Sequence, residues 1–174
     1  MHVRFAAPDW KSLDSLHAEA ILLPFFSDER PLTGALGLID WRLCGFVSRQ
    51  IQRGIVHGRL DETVLVPLQS RFASDKLFLF GLGPRDQFDP QLQQQLIERM
   101  LDVGMRARVR TMALGLPGRS APNVTAIDTM ESFVRATAQR REPDEVVLIE
   151  TPEGQKDMAP ILQRERRRAS AAES

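Results

Sequence analysis

Short apolar blocks alternate with longer stretches in which apolar residues recur every three or four positions, a pattern that predicts strands interleaved with helices. Val3 and Phe5 alternate with His2 and Arg4, as in a half-buried strand, and Pro8 with Asp9 ends it. A short segment around Trp10 to Leu16 leads to Ala20 to Phe26, an apolar run of buried-strand length in which Pro24 predicts a bulge or a strand end. Ile39, Leu43, Phe46, Val47 and Ile51 then recur at helical spacing, which predicts one helix from Asp40 with Gly54 as its stop. Between strand and helix lies PLTGALGLID, where Gly34 and Gly37 would let backbone amides face a ligand near a helix N-terminus.

The alternation continues to the end of the chain. Val56 to Leu60 reads as a connector, and Val64, Leu65 and Val66 as a strand closed by Pro67. KLFLFG, Lys76 to Gly81, is the clearest buried strand. After GLGPRDQFDP, Asp89 is placed to cap a helix with Pro90 in its first position. Leu92, Leu96, Met100 and Val103 mark the inner face of that helix up to Gly104. Thr111 to Leu116 is a strand, GLPGRSAPN a loop, and a helix from near Asn123 carries Val124, Ile127, Phe133 and Val134 inward. EVVLIE, Glu145 to Glu150, is the last strand, followed by a helix from Glu153 to about Arg164. Strands alternating with helices imply parallel right-handed crossovers, and the short early connections suit an antiparallel or mixed edge. The expected fold is an α/β three-layer sandwich on a mixed sheet of about six strands. Residues 1–163 read as a single domain and 164–174, RERRRASAAES, as a polar tail fraying into disorder.

Composition narrows the partners. Lys+Arg and Asp+Glu both number 23, so the net charge is zero and no long-range field draws in nucleic acid or a membrane surface. No run approaches the roughly 20 apolar residues of a membrane span, and the N-terminus does not read as a secretory leader. Cys44 is the one cysteine, which leaves no internal disulfide, suits a reducing cytoplasmic compartment and reads as a small core hydrophobe on the first long helix.

Candidate chemistry is sparse. His2, His17 and His57 are scattered with no His-x-x-x-His, Asp61 and Glu62 would point to opposite faces of a strand, and no Gly-x-Ser-x-Gly elbow occurs. GLGPRD lacks the third glycine of a dinucleotide fingerprint and reads as a strand exit. GLPGRSAPN offers more. Gly115 and Gly118 with Arg119 and Ser120 stand beside a helix start and supply amides, a cation and a hydroxyl for an anion. Arg106, Arg108 and Arg110 alternate before a strand, where charge commonly flanks a buried segment.

Three stretches carry a family resemblance. AILLPFF with LTGALGLIDWRL, KLFLFGLGPRDQFDPQLQQQ, and MESFVRATAQRREPDEVVLIE are together similar to the N-terminal domain of the cytosolic, two-metal leucine aminopeptidases. Phe80 stands where that family usually has valine, and Ser132 where it has glycine. The resemblance implies a macro-like fold. Macro domains that bind ADP-ribose place an asparagine and a glycine-rich loop after the corresponding strand, whereas Phe25, Phe26, Ser27 and GALG stand here. In the family, catalysis belongs to a second domain with an Asn-Thr-Asp-Ala-Glu-Gly-Arg motif, and no such motif occurs in this chain. The expectation is therefore a stand-alone, non-catalytic domain without metal or cofactor, acting through contacts with itself or a separately encoded protein. The alternative is a small-ligand domain for a nucleotide, ADP-ribose-like molecule or other anion, with Gly34, Gly37, Asp40, Gly115, Gly118, Arg119 and Ser120 as its loop residues.

Overall fold

The structure is a computed structural model that describes residues 1–69, 71–140 and 142–172. Its elements in chain order are β1 (His2–Ala6), α1 (Trp10–Asp14), β2 (Ala20–Phe25), α2 (Gly34–Arg42), α3 (Phe46–Gln52), β3 (Thr63–Pro67), β4 (Lys76–Gly81), α4 (Pro90–Arg106), β5 (Thr111–Gly115), α5 (Ala126–Thr137), β6 (Glu145–Ile149) and α6 (Pro152–Ala172). The strands form one sheet in the order β1-β6-β5-β2-β4-β3. Every pairing is parallel except β3 against β4, so the sheet is mixed with an antiparallel edge.

Strand alternation builds two cores. Ala20, Leu22, Phe78, Phe80, Met112, Leu114, Val146 and Leu148 face α4, α5 and α6. Ile21, Leu23, Leu77, Leu79, Ala113 and Val147 face α1, α2 and α3. These central strands are apolar at consecutive positions because both faces are covered, which is what makes them readable as uninterrupted blocks. The result is the expected α/β/α sandwich.

Helix starts follow local chemistry. The Asp89 carboxylate accepts the Leu92 N–H at 2.8 Å, with Pro90 in the first turn. The Thr125 hydroxyl accepts the Asp128 N–H at 3.1 Å, so α5 begins at Ala126 rather than near Asn123. That phase turns Met130 and Phe133 inward and leaves Ile127, expected on the buried side, 49% exposed.

The opening segment departs most from expectation. A single helix from Asp40 is replaced by two, α2 from Gly34 and α3 from Phe46, joined by a turn in which Cys44 and Gly45 both take left-handed backbone (φ 55° and 72°). Gly34 and Gly37 therefore belong to a helix, not a loop. Gly37 is there because a Cβ would sit 2.6 Å from the Leu32 carbonyl oxygen. Asp40, buried, accepts from the Val47 N–H at 2.7 Å and the Ser48 N–H at 3.3 Å and thus caps α3. The turn also brings Cys44 to the surface, correcting its expected place in the core.

The C-terminal segment differs as well. α6 continues through the residues expected to fray as far as Ala172, and Arg166 donates to the Val3 carbonyl, tying the helix across β1. Glu173 and Ser174, the end of that expected tail, lie outside the described residues. Arg110 pairs bidentately with Asp144 at 2.7 and 2.8 Å, which anchors the starts of β5 and β6 and accounts for one of the three alternating arginines.

Candidate functional site

The β2–β5 ladder stops at Leu22, and Pro24, two residues on, has no N–H to extend it. Past that point the two strands part, and a cleft of about 270 Å³ opens at the carboxyl ends of β2, β5 and β6. This is where α/β sheets place ligand sites. Its walls are mainly apolar and include Leu23, Phe26, Leu36, Leu82, Leu116 and Ile149. Polar groups enter from three elements: Glu29 and the first turn of α2, the loop after β5, and the end of β6.

The loop after β5 is fixed by packing. Gly118 holds φ +82°, and a Cβ there would lie 2.1 Å from the Phe88 ring. Phe88 meets Phe26 edge to face at 5.3 Å, and Phe26 floors the cleft. Arg119 is thereby aimed at the end of β6. Its Nε donates to Glu150 Oε2 at 2.7 Å and its Nη1 to the Val124 carbonyl at 3.3 Å. Glu150 Oε1 further accepts from the Thr151 N–H at 2.9 Å and the Thr151 hydroxyl at 3.2 Å. With side chains only 27% and 4% exposed, Arg119 and Glu150 form a largely desolvated pair. The guanidinium expected to meet an anion is taken up by the chain's own carboxylate.

The opposite wall shows the same self-completion. Thr33 stands before α2 without capping it, and its hydroxyl is held instead by the Glu29 carboxylate, so the first amides of α2 have no side-chain cap. Glu29 beside that helix start complements the positive end of the helix dipole. With Glu29 and Glu150 set against Arg119, the cleft carries more negative than positive charge.

Of the residues named from the sequence, Gly34, in the first turn of α2, and Gly115, Gly118, Arg119 and Ser120 line this one cleft. Gly37 and Asp40 do not reach it; they line a separate surface depression with Trp41 and Ser48. Glu29, Thr33, Glu150 and Thr151 were not anticipated as site residues. The one signal for Glu150 was a charged residue closing the apolar strand EVVLIE. Among the described residues no three His, Cys, Asp or Glu side chains come together as metal ligands would. His2 lies beside Glu145 at 3.4 Å and His57 beside Glu62 at 3.5 Å, both away from the cleft.

A six-stranded α/β/α sandwich whose strands part over a cleft beside a helix N-terminus defines a domain of macro-like fold. Residues 22–142 match the family described as cytosol aminopeptidase family, N-terminal domain, and the chain belongs to that family. A probable cytosol aminopeptidase from Thermosynechococcus vestitus is 27% identical over 114 residues, covering 64% of this chain and 22% of the relative. The chain spans between a fifth and a quarter of the length of the curated relatives it matches. Among solved structures, a mutant of tomato leucine aminopeptidase matches with TM-score 0.56 and 14% identity, over 90% of this chain and 35% of that one. A Trypanosoma brucei macrodomain in complex with ADP matches with TM-score 0.68 and 10% identity, over 90% of this chain and 67% of that one. No helix among the described residues is long and apolar enough to cross a membrane.

Proposed function

We propose that this chain is a non-catalytic domain of the cytosol aminopeptidase family that acts in the cytoplasm through protein contacts, with a second copy or a separately encoded protein, and has no peptidase activity of its own. The observation that carries the reading is a group of exposed apolar side chains on α3, the connector after it and β3. Phe46 is 38% exposed, Ile55 61% and Leu65 53%, and all three line one groove, whereas Trp41, 74% exposed, lines a separate depression. Apolar surface gathered in this way is what interfaces cover. Size-exclusion chromatography with light scattering tests self-association, and affinity capture from the source cell tests docking. A chain that stays monomeric at high concentration and captures no protein would remove the reading.

A second reading is small-ligand binding in the cleft, favoured by the uncapped first turn of α2 beside Gly115, Gly118 and Ser120. The macrodomain neighbour solved with ADP supports it by fold alone. Thermal shift against ADP-ribose, nucleotides and phosphate decides it. A ligand present at about 100 times its Kd adds about 2.7 kcal/mol of stability, and no shift with any of them removes this reading.

A further inference from the structure

β3 is the outermost strand of the sheet, paired with β4 on one side only. Hydrogen bonds alternate along an antiparallel ladder. At the two ends of this one, Gly81 N–H donates to the Glu62 carbonyl and Leu68 N–H to the Asp75 carbonyl. Val64 and Val66 therefore bond to β4, while the N–H and C=O groups of Thr63 and Leu65 point outward. Pro67, next in the outward set, has no N–H, so the open edge is short.

Side chains flank that edge on both faces. On the α3 side, Phe46, Ile55, Val64 and Val66 line an apolar groove of about 160 Å³. Leu65 lies on the other face, beside Phe78 across the ladder, and is 53% exposed. The groove shares Phe46, Val66 and Pro67 with a second depression whose charged lining is Arg49 and Arg71. Arg49 donates to the Cys44 carbonyl and Arg71 to the Arg42 carbonyl, so both are held at the end of α2. Neither has a carboxylate within ion-pair distance among the described residues.

We infer that the outer edge of β3 is the docking site for a short extended segment of a different protein, apolar along its middle and acidic at its end. The inference rests on the protein-contact reading and names its surface and partner chemistry. An added strand bonds to the outward groups of Thr63 and Leu65 and sends alternate side chains to the two faces. On the α3 face its apolar positions fill the groove by Phe46 and Ile55, and further along the same face, past Pro67, a carboxylate at its end meets Arg49 and Arg71. A second copy fits poorly, because a two-fold interface sets the same patch against itself and brings the unpaired arginines of both chains together.

The probe is a fluorescein-labelled peptide of about eight residues with Val and Ile at its centre and Glu at both ends, with a counterpart carrying Lys in place of Glu as control, titrated into the full chain by anisotropy. The acidic peptide is expected to bind, and its affinity to fall about tenfold or more in Arg49→Glu/Arg71→Glu. Hydrogen exchange of the unmutated chain supplies a readout that a charge effect alone does not move. Saturating peptide is expected to slow exchange at the Leu65 and Thr63 amides by about tenfold or more, with Val64 and Val66 unchanged. No binding, equal binding of the Lys peptide, or unchanged Leu65 and Thr63 exchange overturns the inference. So does protection of those amides on raising the chain concentration without peptide, which makes a second copy the occupant. A captured partner indifferent to the double variant overturns this surface and leaves the protein-contact reading standing.

Discussion

Replacing Arg119 with Ala tests whether the cleft is closed by its own ion pair. The substitution leaves a Glu150 carboxylate 4% exposed, held only by the Thr151 N–H and hydroxyl. Removing one partner of a buried pair costs about 3–5 kcal/mol. Arg119 is 27% exposed and two donors to Glu150 survive, so the lower end, about 3 kcal/mol, is expected. For a chain of this length, each kcal/mol lowers Tm by about 2–4 °C, which gives a fall of about 6–12 °C. Urea denaturation followed by the fluorescence of Trp10 and Trp41 measures it. In the Arg119→Ala background, Glu150→Gln removes the stranded charge and is expected to recover about 1 kcal/mol or more, a non-additivity diagnostic of direct coupling. Glu150→Gln alone frees the guanidinium, so phosphate is expected to stabilise that variant and not the unmutated chain. An Arg119→Ala protein within about 0.5 kcal/mol of the parent would instead show the pair to be screened by solvent and the cleft not closed by it.

Two further outcomes follow from contacts elsewhere. Asp40→Ala strips the Val47 and Ser48 amides of their acceptor and is expected to cost about 1–3 kcal/mol, with faster amide exchange at the start of α3; unchanged stability and exchange would contradict the capping role. Glu145 is held below its ordinary value of 4.5, chiefly by the Arg4 hydrogen bond, and Asp144 below 3.8, chiefly by that of Arg110. A carboxylate depressed on folding contributes stability that is full above its ordinary value and is lost as pH falls through the folded value. Urea midpoints are therefore expected to be level above about pH 5 and to fall on further acidification. Glu145→Gln should flatten part of that fall, and an identical acid limb in the variant would contradict the assignment.

The strands were legible because burial on both faces turns them into unbroken apolar blocks such as KLFLFG, and α4 because Asp89 and Pro90 announce its start. The break between α2 and α3 was not, because Ile39, Leu43 and Val47 keep helical spacing straight across the Cys44–Gly45 turn. That hidden turn also misplaced Cys44 and gave Asp40 the look of a helix start rather than the cap of the next helix. The extent of α6 was hidden by composition: RERRRASAAES reads as a solvated tail, yet Arg, Glu and Ala are good helix formers and Arg166 finds the Val3 carbonyl. At the cleft, the glycines and Arg119 were visible as loop chemistry. Glu150, which neutralises Arg119, comes from 31 residues further along the chain, and local spacing carries no trace of such a pairing.

On the proposed reading, this member of the family works without peptide hydrolysis. The measurement is hydrolysis of leucine p-nitroanilide by the purified chain with zinc or manganese added. The predicted result is no turnover above buffer at any metal concentration; turnover that a chelator abolishes would contradict it.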